Sequence, residues 1–99
     1  MPAFVLCDVV VKDESALESY IKKASPTVSL YGGQFLVQGG EVNVFEGDWS
    51  PSVVIVARFP SMATAKAWYG SREYGQALAL KDKALTRQMI LVEGLDQAV

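Results

Sequence analysis

The run Ala3-Phe-Val-Leu-Cys-Asp-Val-Val-Val11 is apolar at every position except Asp8. A strand with one face in water alternates polar and apolar residues, so this run reads as a strand covered on both faces. Three more stretches, Gln34 to Val37, Val53 to Phe59 and Met89 to Val92, are almost as apolar. Between them lie only enough helical segments to roof one side of a four-stranded sheet. The other side then needs a partner, and a second copy of the chain is the simplest one. The sequence therefore predicts a homodimer.

Working outward from the first strand, Asp13 is placed to cap a helix, with Glu14 in the first turn where a carboxylate complements the helix dipole. Ala16, Leu17, Tyr20, Ile21 and Ala24 follow at helical spacing and make one apolar stripe. Ser25-Pro26 resembles a new cap followed by Pro at a first helical position, which predicts a kink and a restart to about Tyr31. Gly32 and Gly33 end the helix.

Gln34 to Gln38 is the second strand. Gly39-Gly40 is either a two-residue hairpin turn or a bulge within one long bent strand reaching Glu46, and the bulge is preferred. Gly47-Asp48-Trp49-Ser50-Pro51 turns the chain back into a third strand, Ser52 to Phe59. After Pro60, Ser61 caps a helix carrying Ala65, Trp68 and Tyr69. Gly70-Ser71 interrupts that helix, and a second segment carries Tyr74, Ala77, Leu78 and Leu85. Arg87 to Leu95 is the last strand. The order is β-α-β-β-α-β, an α+β ferredoxin-like protomer spanning residues 1–99, with an antiparallel sheet and both helical regions on one face.

Composition excludes several functions. The 99 residues carry a net charge of -2, too little basic character to attract a nucleic acid. No run approaches the roughly 18 apolar residues that span a bilayer, and the N-terminus does not resemble a signal peptide, so a cytoplasmic protein is expected. The single cysteine, Cys7, lies inside a strand and reads as a buried thiol. The chain has no histidine, which removes serine or cysteine triads, histidine-ligated haem and ordinary catalytic zinc. No metal and no cofactor are expected.

Because side chains alternate across a strand, each strand divides into two sets. Val5, Cys7, Val9 and Val11 form one, as do Phe35 with Val37, Val53 with Ile55, Ala57 and Phe59, and Ile90 with Val92. These purely apolar sets belong under the helices, where an unpaired charge is costly. Asp8, Gln34, Gln38, Arg58 and Glu93 are thereby assigned to the open face, within a partly polar cavity between two sheets. There Arg58 either pairs with Asp8 or Glu93, or binds an anion while a carboxylate serves as base. Arg58, Glu93 and Asp8 are the candidate catalytic residues. Gln34, Gln38, Trp68, Tyr69 and Tyr74 are candidates for substrate binding, with core packing the plainer role for the three aromatics. Trp49 is either a binding lip or folds back over the dimer edge.

The motifs Tyr31-Gly-Gly-Gln-Phe-Leu-Val-Gln-Gly-Gly40, Glu46-Gly-Asp-Trp49, Phe59-Pro-Ser61, Ala67-Trp-Tyr-Gly-Ser71 and Leu91-Val-Glu-Gly94 resemble the bacterial family called domain of unknown function 1330. The resemblance covers almost the whole chain and implies a dimeric α+β barrel. Members often carry Arg at the positions of Gln34 and Gln38, and Pro at that of Arg72. Exchanging guanidinium for carboxamide removes a bidentate anion clamp. The family supplies no activity. The wider superfamily contains cofactor-free monooxygenases and small isomerases, which makes a metal-free small-molecule enzyme the leading expectation and a non-catalytic binding or structural dimer module the alternative.

Overall fold

The structure, a computed structural model, describes residues 1–96. Strand β1 (Ala3–Val11) leads into α1 (Glu14–Leu30), followed by β2 (Gln34–Gln38), β3 (Val53–Phe59), α2 (Met62–Tyr69), α3 (Arg72–Ala84) and β4 (Leu85–Glu93). The four strands form one antiparallel sheet in the order β2-β3-β1-β4. This is the ferredoxin-like arrangement, with the second helical region split in two. The Cα atoms span only 16 Å in the thin direction, one sheet and one helical layer, so among the described residues no second layer covers the far face of the sheet.

The helix boundaries follow from their caps. Asp13 accepts the Ala16 amide at 2.9 Å, Ser61 accepts that of Thr64 at 3.1 Å, and Ser71 accepts that of Tyr74 at 3.1 Å. The break at Gly70-Ser71 is as the sequence indicates. The break at Ser25-Pro26 is not: α1 continues through Pro26 to Leu30. Thr27, one residue on, donates its hydroxyl to the Ala24 carbonyl at 2.6 Å and accepts the Trp68 indole N–H at 3.0 Å. Packing of this turn on the core outweighs proline's missing donor. Gly33 is needed where α1 turns into β2, since a Cβ there would lie 2.7 Å from the Phe59 ring and 2.8 Å from Val28.

The core lies between the sheet and the helices. Ala3, Val5, Cys7 and Val9 of β1, with Ala57 and Phe59 of β3, meet Ala24, Val28, Trp68 and Tyr74 from above. Phe4, Leu6, Asp8 and Val10 point the other way, as the alternation requires. Trp68 stacks against Tyr74, with ring centres 4.2 Å apart, and against Phe59 at 5.2 Å.

Two strands depart from the sequence reading. In β4, Cys7 pairs with Met89, Val5 with Leu91 and Val9 with Arg87, while Leu6 pairs with Ile90 and Phe4 with Val92. Directly paired residues share a face. Met89, Leu91 and Arg87 therefore lie under the helices, and Ile90 and Val92 on the open face, the reverse of the assignment from the apolar sets. The cause is the junction with α3, which passes into β4 without a loop. Leu85, the first strand residue, is buried, and that sets the phase for Arg87, Met89, Leu91 and Glu93.

In β2 the register shifts between Phe35 and Val37. Before the shift Gln34 pairs with Arg58 and Phe35 with Ala57; after it Val37 pairs with Val56 and Gln38 with Ile55. The bulge thus falls around Leu36 rather than at Gly39-Gly40, and it turns Gln38 to the helical side. The strand ends at Gln38 and does not extend to Glu46. Gly39 has a φ of 75° and donates to the Val54 carbonyl at 2.9 Å, and the residues beyond form an irregular arm to the start of β3.

Candidate functional site

Helix α1 runs alongside α3 and meets the sheet through Ala24 and Val28. The space left beneath it is a cavity of about 390 Å3. Its floor is the helical side of the sheet, Val5, Cys7 and Val9 with Val53 and Ile55, and its roof is Leu17, Tyr20, Ile21 and Ala24 of α1. This volume lies toward the lower end of the range for small-molecule sites. The cavity lies inside one protomer, under the helices. The sequence reading had set it on the opposite side of the sheet.

At the α3 end of the cavity stands Arg87. One guanidinium nitrogen donates to the Tyr20 hydroxyl and the other to that of Tyr74, each at 2.7 Å, and the two hydroxyls are 2.7 Å apart. The guanidinium also lies 5.6 Å from the centre of the Tyr20 ring. Neither ion pair among the described residues involves Arg87, and no carboxylate lines the cavity. A half-buried cation supported only by neutral oxygens is unusual, because removing a charge from water is normally offset by an opposite charge.

Burial pushes the Tyr74 hydroxyl well above the ordinary tyrosine range; the neighbouring Tyr20 adds to this, and Arg87 opposes it. Tyr74 is therefore a stable hydroxyl at neutral pH and not a base. Burial lowers the affinity of Arg87 for its proton, but the two tyrosine oxygens outweigh this, and its pKa rises on balance. Burial likewise raises the pKa of Cys7, partly countered by Arg87. This leaves a neutral thiol in the cavity floor, a poor nucleophile.

The residues singled out from sequence are scattered over several surfaces. Tyr74, only 1% exposed, and Trp68 line the cavity, as does Gln38, which the β2 bulge turns inward. Tyr69 does not reach it. That ring is half exposed, packs edge-on against Trp68 and borders a shallow groove between α2 and β4. Gln34 and Arg58 are cross-strand neighbours on the open face. Asp8 shares that face but pairs with Val54, four residues along β3 from Arg58, and accepts the Trp49 indole N–H at 2.9 Å. Trp49 thus folds back toward the sheet while remaining 66% exposed. Glu93 pairs with Ala3 at the end of β4, in phase with Arg87 and Met89, and is solvent-exposed. Its assignment to the open face is corrected. No ion pair joins Arg58 to Asp8 or Glu93 among the described residues.

Sequence reasoning missed Arg87 and counted Tyr20 only as part of an apolar stripe. The signal was present. Leu85, Arg87, Met89 and Leu91 alternate, and Arg87 interrupts an apolar set whose first residue follows directly from a helix.

Comparison with known proteins agrees with this architecture. A Rhodopseudomonas palustris protein of unknown function superimposes with a TM-score of 0.77 at 20% identity, over 96% of this chain and 83% of that one. SnoaB, a cofactor-independent oxygenase from Streptomyces nogalater, gives 0.64 at 14% identity, over 98% and 95% of the two chains. A dimeric protein of unknown function and ferredoxin-like fold from Bacteroides fragilis gives 0.62 at 10% identity, over 94% and 96%. No match is found among curated proteins. The profile of the domain of unknown function DUF1330 matches residues 2–95, and the chain belongs to that family.

Proposed function

We propose that this protein is a small-molecule enzyme that works without a metal, with its reaction centre in the cavity beneath α1. The observation that carries the proposal is the Arg87-Tyr20-Tyr74 cluster, a cation and two hydroxyls at a chamber whose remaining lining is mostly apolar and carries no charge among the described residues. Such an arrangement stabilises negative charge developing on a substrate oxygen, and the low dielectric of the surroundings strengthens the effect. Cofactor-free oxygenation and keto-enol isomerisation share a first step that creates this charge, loss of a proton from a carbon next to a carbonyl. Whichever of the two tyrosine hydroxyls does not spend its proton on the Tyr20-Tyr74 bond serves, with Arg87, as donor to the oxyanion. No side chain of the described lining is a base, so the carbon's proton is taken by hydroxide or a buffer base entering at the side bordered by Gln38 and Ile21, both exposed. The shared fold of a cofactor-independent oxygenase supports this class of chemistry.

The test is turnover of enolisable and quinol substrates by the purified protein, measured by oxygen uptake and by product analysis. Arg87→Met is expected to abolish turnover, while Glu93→Gln, far along β4, retains it. A ligand that stabilises the protein without being converted would favour the non-catalytic alternative, for which the missing cavity carboxylate is the specific argument.

The protein acts as a homodimer joined through the open sheet face. Support comes from the exposed apolar side chains there, among them Val10, Leu36, Val37 and Val92, with Ile90 59% exposed. The arm adds Val42, Val44 and a Phe45 that is 95% exposed. A patch of this extent is uncommon on a monomer. The dimeric Bacteroides fragilis protein of the same fold agrees with this reading. Sedimentation should show a dimer that Ile90→Asp dissociates; a folded single copy of the unaltered chain at micromolar concentration would contradict it.

A further inference from the structure

We infer that the ligand of the cavity is a monoanion with a flat or compact apolar body, its carboxylate or enolate oxygen seated on Arg87 and the two tyrosines. This rests on the reading of the cavity as a binding site and specifies what enters it.

A guanidinium carries five N–H donors and no acceptor, and a tyrosine hydroxyl carries one donor. Arg87 gives one hydrogen bond to each hydroxyl. The Tyr20-Tyr74 bond uses the proton of only one of the two hydroxyls. The other hydroxyl proton, together with the remaining Arg87 N–H groups, has no acceptor among the hydrogen bonds of the described residues. The cluster therefore offers several donors and little free acceptor capacity. An amine or ammonium would meet only more donors, and a neutral alcohol would leave the charge unmatched. An oxyanion answers both deficits.

One cation sets the charge of the ligand. A phosphate monoester or dicarboxylate would bring a second negative charge into a chamber where, among the described residues, Arg87 is the only charged one in the lining. Around the cluster the lining is mainly hydrocarbon, from Val9, Leu17, Ile21, Phe35, Val53 and Ile55, with Ser25 and Gln38 adding neutral polar groups. The body of the ligand must then be apolar, and the chamber of about 390 Å3 limits it to a small ring system.

The probes are 2-naphthoate and its neutral match, 2-naphthamide, measured by calorimetry against the unaltered protein and against Arg87→Gln, Arg87→Lys and Ile21→Trp. Naphthoate is expected to bind at least about tenfold more tightly than the amide, the usual weight of a charge-assisted hydrogen bond in a partly buried site. Arg87→Gln should erase that preference, and Arg87→Lys, which keeps the charge but loses the fork, should keep part of it. Ile21→Trp, which fills the chamber from α1, should weaken both probes. The acid-amide comparison needs no variant, so a failure of Arg87→Gln to fold leaves the test intact. Equal binding of acid and amide, both weakened by Ile21→Trp, overturns the anion and leaves the cavity as a site. Binding of neither probe, or binding insensitive to Ile21→Trp, overturns both.

Discussion

Removing the Tyr74 hydroxyl gives a stability signature that depends on pH. In Tyr74→Phe the ring still packs on Trp68, but Arg87 loses an acceptor at 2.7 Å and Tyr20 loses its partner. A hydrogen bond to a charged group contributes about 1.5–3 kcal/mol, so the variant should be about 2 kcal/mol less stable at pH 7. Because burial raises the folded-state pKa of Tyr74 above its ordinary value of 10.0, the native state holds this proton more tightly than the unfolded chain. The associated stability is complete below pH 10 and declines above it, by up to about 1.4 kcal/mol per pH unit, as the unfolded tyrosine ionises first. Phenylalanine has no such loss. The gap between the two proteins should therefore shrink from about 2 kcal/mol at pH 7 to well under 1 kcal/mol near pH 11. Urea titrations followed by circular dichroism at fixed protein concentration would measure it across that range. A gap that stays constant from pH 7 to pH 11 would show that Tyr74 titrates as an ordinary tyrosine, and the cluster would lose its assigned protonation state.

Other perturbations test separate parts of the fold. Gly33→Ala forces a methyl group against Phe59 and Val28 and should cost about 1–3 kcal/mol by thermal or urea unfolding, as overpacking does. Ser71→Ala removes the side chain that accepts the Tyr74 amide; a loss of about 1 kcal/mol is expected, and no loss would mean that Gly70 alone separates α2 from α3. Thr27→Val takes away the acceptor of the buried Trp68 indole, and a loss of about 1–3 kcal/mol with a shift in tryptophan emission should follow.

The fold was largely legible because its evidence is redundant. The unbroken apolar run of β1, the caps at Asp13, Ser61 and Ser71, and the glycines before β2 each point to the same topology. Single-position evidence was weaker. Pro26 signalled a break that the packing of Thr27 and Trp68 prevents. The phase of β4 was misjudged because a rule sound for sealed cores, that charge faces away from the helices, fails where helix and sheet stand apart. Arg87 can face inward because Tyr20 and Tyr74 solvate it and the cavity stays open beside them. The same mistake displaced the candidate site, since the open face received Glu93 and Gln38 and the helical face was taken as filled. Gln38 needed the bulge around Leu36 to turn inward, and a bulge in a five-residue strand leaves no periodic trace in the sequence. Tyr74 was singled out for its aromatic ring, yet it is the hydroxyl, invisible to an apolar pattern, that places it in the site.

The central claim is that ligands enter the chamber under α1 and meet Arg87, and NMR mapping with 2-naphthoate tests it most directly. Titration should move the resonances of Leu17, Ile21, Val53 and Ile55 together with the Arg87 side-chain Nε–H signal. Shifts confined to Phe4, Leu6, Gln34 and Arg58 would put the site on the opposite face of the sheet and contradict the account.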